Sequence, residues 1–364
     1  MLLKPETRQT FVDLGYEPKA CSKLKTDNWD DEFLVSRLIF LTTYGTSIDL
    51  PKLIEQHQLA ESIIQNMSRH STRCSTQPAG KTNADPMEKM ALDETLKLLF
   101  NVTRYASNHI AAFDPAVPHI ATILCNYDLP PSKTPLDPPF SLLINALMNL
   151  DLASPAAQQS VFPDNNSVAT RLLELLDLSM KAYTDATLEQ TVTPLICVLS
   201  SAYEHAPHPS DTDPSDSTIR TLIRNQLLPT ETDRSVGLGK ADTLPSRLLR
   251  NWTNPLAPEF RKAIAHLYFE MSGKDASKFI ENVGYGYASG FLFQNKIAVP
   301  EGAMEQQQQR EGQGEGEASG QGGRRAVNPI TGQFLSEERF EDLPEMTMEE
   351  KEREAERLFV LFER

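Results

Sequence analysis

Cysteine is scarce in this chain of 364 residues: Cys21, Cys74, Cys125 and Cys197 lie far apart and form no Cys-x-x-Cys pair. That spacing argues against a zinc site and against a disulfide framework, and it fits a reducing compartment. Long apolar runs are missing too. Nothing approaches the roughly 18 consecutive apolar residues of a membrane span, and the opening MLLKPETRQ lacks the apolar segment of a secretory signal. The common catalytic signatures are equally absent, with no Gly-x-Ser-x-Gly elbow and no His-Glu-x-x-His. Gly237 to Lys240 reads GLGK, but a phosphate loop would need glycine where Arg234 stands and a hydroxyl where Ala241 stands. GYGYASG, from Gly284 to Gly290, has close glycines without a preceding strand, so close helix packing explains it better than a dinucleotide site. His205 and His208 have a metal-compatible spacing, yet they lie in a proline-rich helix end with no carboxylate or thiolate beside them. Neither a catalytic residue nor a metal or cofactor is called for.

What is present is acid and helix. The net charge is -15 and the isoelectric point about 5.0, which disfavours nucleic acid and anionic membranes and favours a partner with a basic surface. Residues 301–364 hold 16 acidic against 8 basic residues, a net of -8, leaving -7 for the far longer body. With 40% hydrophobic and 23% charged residues, most of the chain can bury enough apolar surface to fold.

Helical periodicity recurs from end to end and sustained apolar–polar alternation is rare, so the expected fold is all-α. The pattern predicts helices over 31–43, 50–69, 86–107, 139–152, 167–183, 187–205, 217–227, 244–252, 258–273 and 276–295. Their apolar centres, near Leu38, Leu98, Leu147, Ile196 and Leu248, recur roughly every 50 to 60 residues, slightly above the armadillo and HEAT period. An armadillo/HEAT-like α-solenoid over 1–300 is the expectation, with an ordinary multi-helix domain as the alternative. Residues 301–327 are rich in Gln, Gly and Glu and read as a disordered linker. Order is expected to resume over 328–364, with NPITGQF followed by a helix. Thr347 and Glu350 form its capping box, and Ala355, Leu358, Phe359 and Phe362 form a stripe that must dock on something.

Several helices carry a second, polar face. In ALDETLKLLFNVTRY, the stripe of Leu92, Leu96, Leu99 and Thr103 reads as core, while Lys97, Asn101 and Arg104 share another face at i, i+4 and i+7. Asn145 and Asn149 repeat the idea at i, i+4, and Arg37, Leu41 and Tyr44 fall on one line. If equivalent helices of a solenoid present these positions side by side, asparagine amides could bond a bound peptide's backbone, while cations meet its carboxylates, including a free C-terminus. Solvated helix positions, or asparagines satisfied by adjacent loops, are the alternative.

LLKPETRQTFVDLGY, DDEFLVSRLIFLTTYGTSIDL, ALDETLKLLFNVT, LPSRLLRNWT, KDASKFIENVGYGYASGFL, NPITGQF and MTMEEKEREAERLFVLFER together resemble the synembryn family, most closely its fungal branch. The family comprises cytosolic chaperones and guanine-nucleotide exchange factors of heterotrimeric G-protein α subunits. The resemblance implies an armadillo/HEAT-like superhelix whose concave face holds the C-terminal helix of Gα, with a later segment gripping the Gα switch region. It also implies stabilisation of nucleotide-free Gα, release of GDP, and dissociation when GTP binds. The expected protein is a cytoplasmic monomer, recruited to the plasma membrane through Gα, with no nucleic-acid partner and no membrane insertion of its own. Lys97, Asn101, Arg104, Asn145, Asn149 and Arg37 are the expected Gα contacts, the first three falling in the family's groove region. An armadillo-type peptide scaffold without exchange activity is the alternative. The chain departs from the family in resembling an internal portion of its members. It has the Gln/Gly linker where animal members carry phosphorylated Ser and Thr, and Tyr287 where a small polar residue is expected.

Overall fold

Proline decides where many of these helices begin. In the computed structural model, which describes residues 4–76, 85–129, 133–162, 166–207, 218–299, 327–328 and 331–337, nine helices carry proline in the first turn. The missing N–H costs nothing there, since first-turn amides have no intrahelical partner. Side-chain caps mark other starts, among them Asn28, which accepts from the amides of Asp30 at 2.8 Å and Asp31 at 3.2 Å.

The described residues form eighteen α-helices. The first seven are α1 (Pro5–Asp13), α2 (Glu17–Leu24), α3 (Trp29–Thr42), α4 (Leu50–His57), α5 (Leu59–Thr76), α6 (Pro86–Tyr105) and, after a 3₁₀ stretch (Ser107–Ala116), α7 (Val117–Asn126). Next come α8 (Phe140–Asn149), α9 (Pro155–Ser160), α10 (Ser167–Ala182), α11 (Asp185–Thr191), α12 (Thr193–His205) and α13 (Ile219–Leu227). The last are α14 (Glu231–Val236), α15 (Leu244–Asn251), α16 (Pro258–Met271), α17 (Ala276–Val283) and α18 (Tyr285–Gln294). No strand longer than an isolated bridge occurs among the described residues.

The helices stack in two rows. In one, α3 packs on α6, α6 on α8, α8 on α12 and α12 on α16; in the other, α5 packs on α7, α7 on α10, and α10 on α13 and α15. Contacts between row neighbours are what an all-α solenoid requires. One continuous apolar core runs through the stack from Cys21 to Leu292. The first four apolar centres fall on α3, α6, α8 and α12, successive members of one row, whereas Leu248 falls on α15, in the other row.

Three predicted helices are each broken in two. Gln58 adopts a left-handed φ of 53° and its amide caps α4, so 50–69 becomes α4 and α5. Pro194, in the first turn of α12, ends the run that 187–205 suggested, and Gly284, at φ 79°, separates α17 from α18. Five further helices, α1, α2, α7, α9 and α14, fall outside the predicted ranges, and in α7 Pro118 occupies the first turn. The linker (301–327, Val327 apart) and the helix expected from the Thr347 capping box onward lie outside the described residues.

Candidate functional site

The helix α6 is the hub. It starts at Pro86 behind Asp85, whose carboxylate accepts from the Met87 amide at 2.9 Å, and it packs on α3, α5 and α8. A helix with neighbours on several sides must bury polar residues as well as its apolar stripe, and each buried one needs a partner.

Most of those partners lie on α3. Ser36 and Thr95 share a hydrogen bond of 3.1 Å, and Thr95 donates to Glu32 at 2.6 Å. Glu32 is wholly buried and also takes contacts from His70 (3.0 Å) and Arg69 of α5. Burial alone would push its carboxyl up, but the His70 hydrogen bond and charge, the Thr95 hydroxyl and Arg69 together hold it below the usual range. Trp29 roofs this node, its ring stacked 4.8 Å from His70 with the Arg69 guanidinium 3.9 Å above it.

The six expected contact residues divide according to their neighbours. Asn101 is a correction to the idea of an open polar face: it is only 2% exposed, donates to Thr43 at 2.7 Å and accepts from Tyr44 at 3.4 Å. Its amide is a bolt between α6 and α3. Asn149 is engaged similarly, donating to the Phe100 carbonyl at 3.1 Å and the Thr103 hydroxyl at 3.3 Å, which ties α8 to α6. Arg37 and Lys97 converge on one oxygen of buried Glu94, at 3.1 and 2.9 Å, while the other oxygen of that carboxylate is buried without a hydrogen bond. Arg104 is exposed, makes no ion pair among the described residues, and lies 6.0 Å over the Phe100 ring. Asn145 is half-buried, with no side-chain hydrogen bond among the described residues.

The row therefore offers two cations, Arg37 and Lys97, held by Glu94, a separate exposed cation at Arg104, and one open amide at Asn145. Leu34 shares the face of Arg37 by helical spacing, Tyr44 extends the same line, and Met148 stands beside Asn145; all three are exposed. Apolar anchors among cations suit an amphipathic, acid-ended peptide. Sequence reasoning did not single out Glu94. Its i, i+3 relation to Lys97 was visible, but its contact with Arg37 crosses 57 residues.

Farther along the row, α12, α16 and α18 enclose a groove of about 730 Å³ whose lining includes Cys197, Trp252, Lys262, His266, Tyr287 and Phe291. Tyr287 reaches out of it, its hydroxyl 3.4 Å from the Leu238 carbonyl. Burial pushes the Cys74, Cys125 and Cys197 thiols up, and that of Cys21 to about 12. No group of three His, Cys, Asp or Glu able to hold a metal occurs among the described residues, and no described helix is long and apolar enough to cross a membrane.

Comparison with known proteins shows the family. A family model described as guanine nucleotide exchange factor synembryn matches residues 1–364. A synembryn-like chaperone of Schizosaccharomyces pombe is 24% identical over 361 residues, covering 95% of this chain and 64% of its own length. Chaperone Ric-8A of Macaca fascicularis is 25% identical over 286 residues, covering 74% of this chain and 50% of its own, and that of Xenopus tropicalis is 23% identical over 356 residues, covering 92% and 63%. The chain thus spans between half and two thirds of the length of these relatives.

Proposed function

The chain belongs to the synembryn family, and on that premise we propose that it is a chaperone and guanine-nucleotide exchange factor for a heterotrimeric G-protein α subunit. The stack is of armadillo/HEAT type, and the row of α3, α6 and α8 receives the C-terminal helix of Gα. The observation that supports this most directly is that α3, α6 and α8 carry the cations Arg37, Lys97 and Arg104 together with exposed Leu34, Tyr44 and Met148. The end of a helix that closes a chain presents unpaired carbonyls, the negative pole of its dipole and a carboxylate, and cations are the matching charge. Arg104 and the Asn145 amide make direct contacts, Arg37 and Lys97 contribute charge held in place by Glu94, and Asn101 and Asn149 set the spacing of the three helices.

Exchange needs no catalytic residue. A surface that binds nucleotide-free Gα more tightly than GDP-bound Gα speeds GDP loss, and a difference of about 5.5 kcal/mol swings a population from about 1:99 to 99:1. The same preference protects an otherwise labile state, which is chaperoning. The protein acts as a cytoplasmic monomer, reaching the plasma membrane with its partner, and a second contact to the Gα switch region completes the grip.

The experiment is calorimetry and GDP release with Gα carrying or lacking its last helical turns. Loss of binding on truncation, and an affinity about tenfold weaker for Arg104→Glu, are expected. Equal affinity for the nucleotide-free and GDP-bound forms, without GDP release, overturns exchange and leaves the peptide-scaffold reading. Unchanged affinity in Arg104→Glu and Lys97→Glu removes this row from the site.

A further inference from the structure

Far from the cationic row, a short segment that follows the Gln/Gly-rich stretch returns to the body of the molecule. Residues 327–328 and 331–337 lie against α14, the loop after it, and the junction of α17 with α18. The Arg234 guanidinium donates to the Gly332 carbonyl at 2.9 Å and, through its other nitrogen, to the Glu281 and Asn282 carbonyls at 3.0 Å each. One half-buried cation thereby ties the segment to the C-terminal end of α17, where carbonyls lack helical partners. Backbone pairing adds to this, since the Phe334 amide donates to the Arg234 carbonyl at 3.1 Å and the Gln333 side chain to the Ser235 carbonyl at 3.2 Å. Phe334 is the anchor, only 4% exposed.

The segment is also closed by bonds of its own. Asn328 donates to the Gln333 carbonyl and accepts from the Gly332 amide, both at 2.8 Å, and Val327 forms an antiparallel bridge with Phe334. A ligand closed by its own bonds loses little conformational freedom on docking. The contact is also close enough to demand glycine. Gly332 has φ 69°, and a Cβ there would meet Leu238 Cδ1 at 2.3 Å and the Gly284 amide nitrogen at 3.6 Å; across the interface, Gly237 has φ 94° and faces the Gln333 side chain. Tyr287 braces the receiving loop from behind, its hydroxyl 3.4 Å from the Leu238 carbonyl.

We propose that the cleft made by Arg234, Leu238 and the α17–α18 junction is a peptide-recognition site, that its ligand is this chain's own segment at Asn328 and Thr331–Phe334, and that non-covalent contacts alone hold the segment there. The covalent tether through 300–326 raises the local concentration of the segment, but the recognition is carried by a charge-assisted bond to one carbonyl, two further hydrogen bonds and a buried ring.

The test uses the full chain with a site-specific protease sequence inserted between Gly314 and Glu315. After cleavage, gel filtration at micromolar concentration with mass spectrometry of each peak shows whether the C-terminal piece travels with the body. Co-elution is expected in the parent. Gly332→Val and Phe334→Ala, both placed in the segment so that the helical body keeps its circular dichroism, are expected to raise the dissociation constant of the cut pieces at least about tenfold, and Arg234→Ala to do the same from the receiving side. Separation of the pieces in the parent chain overturns the proposal. So does retention undiminished in both segment variants, which would mean that something other than this segment holds them together.

Discussion

Two layers of the same stack are held together by different physics. Between α3 and α6 the contact is built from hydrogen-bonded polar groups: Glu32, Ser36 and Thr95 in the interior, Asn101 against Thr43 at the edge, and Arg37 and Lys97 meeting at Glu94. Around α16 to α18 the contact is aromatic. Trp252 packs 5.4 Å from Tyr268, and Phe291 lies 5.1 Å from Phe269 and 5.6 Å from Phe279. The first layer consumes polar side chains to fix helix register, because hydrogen bonds are directional and an unpaired buried group is costly. The second is built mainly from rings, with Asn282 donating to the Ser272 hydroxyl at 2.9 Å, and Lys262 and His266, beside Glu259 and Glu270, line the groove. A polar face on a helix is therefore not by itself a binding face.

The contrast is sharpest at Glu32. Removing one member of a buried, paired network leaves the others unmatched, so Glu32→Ala is expected to cost about 3–5 kcal/mol in denaturant unfolding. The carboxyl is held below its ordinary range by its partners. Its stabilising contribution is therefore present above the unfolded carboxyl value and is lost as pH falls through the depressed folded one. A flat acid limb in the wild-type stability profile would show that the node does not hold the layer.

Asp93, on the same helix, runs the other way. Burial pushes its carboxyl up to about 6 although Lys89 and Lys97 stand nearby, and one of its oxygens is buried without a hydrogen bond. An acid raised in the folded state takes up a proton on folding, so its contribution to stability improves as pH falls from about 7 towards about 4. Asp93→Asn is expected to stabilise the protein by about 2 kcal/mol at neutral pH and to flatten that part of the profile, as read by thermal unfolding across pH.

Asn101→Ala separates bolt from contact. The loss of two buried hydrogen bonds predicts about 1–2 kcal/mol of destabilisation, with partner affinity falling no more than stability explains. The smallest structural effect is expected at Asn145→Ala, within about 0.5 kcal/mol, while affinity for a helical peptide drops. A larger stability loss at Asn145 than at Asn101 would invert the assignment of the two amides.

Much of the architecture was legible beforehand. Apolar spacing marked most of the helices, and the family resemblance rested on stretches that fall on α1, α3, α6, α15, α17 and α18. The misreadings have local causes. Pro118 stands in the first turn of α7, a helix outside the predicted ranges, and Gln58 is an ordinary residue whose left-handed backbone nothing in its neighbours announces. Among the site residues, Lys97 and Arg104 were identifiable as non-core cations, and Tyr287 as a departure from the family, yet its reach to the Leu238 loop was not visible. Asn101 and Arg104 had the same standing in the sequence, three positions apart, and only their surroundings distinguish them.

Composition and periodicity by themselves determined that this chain is a stack of helices with acid gathered towards its end, since helix formation and helix starts depend on residues within a turn or two of each other. Which polar groups are used up inside the stack and which are left for a partner was decided only in three dimensions. That outcome depends on how each helix is rotated against its row neighbours, and the partner that buries Asn101 comes from 58 residues away.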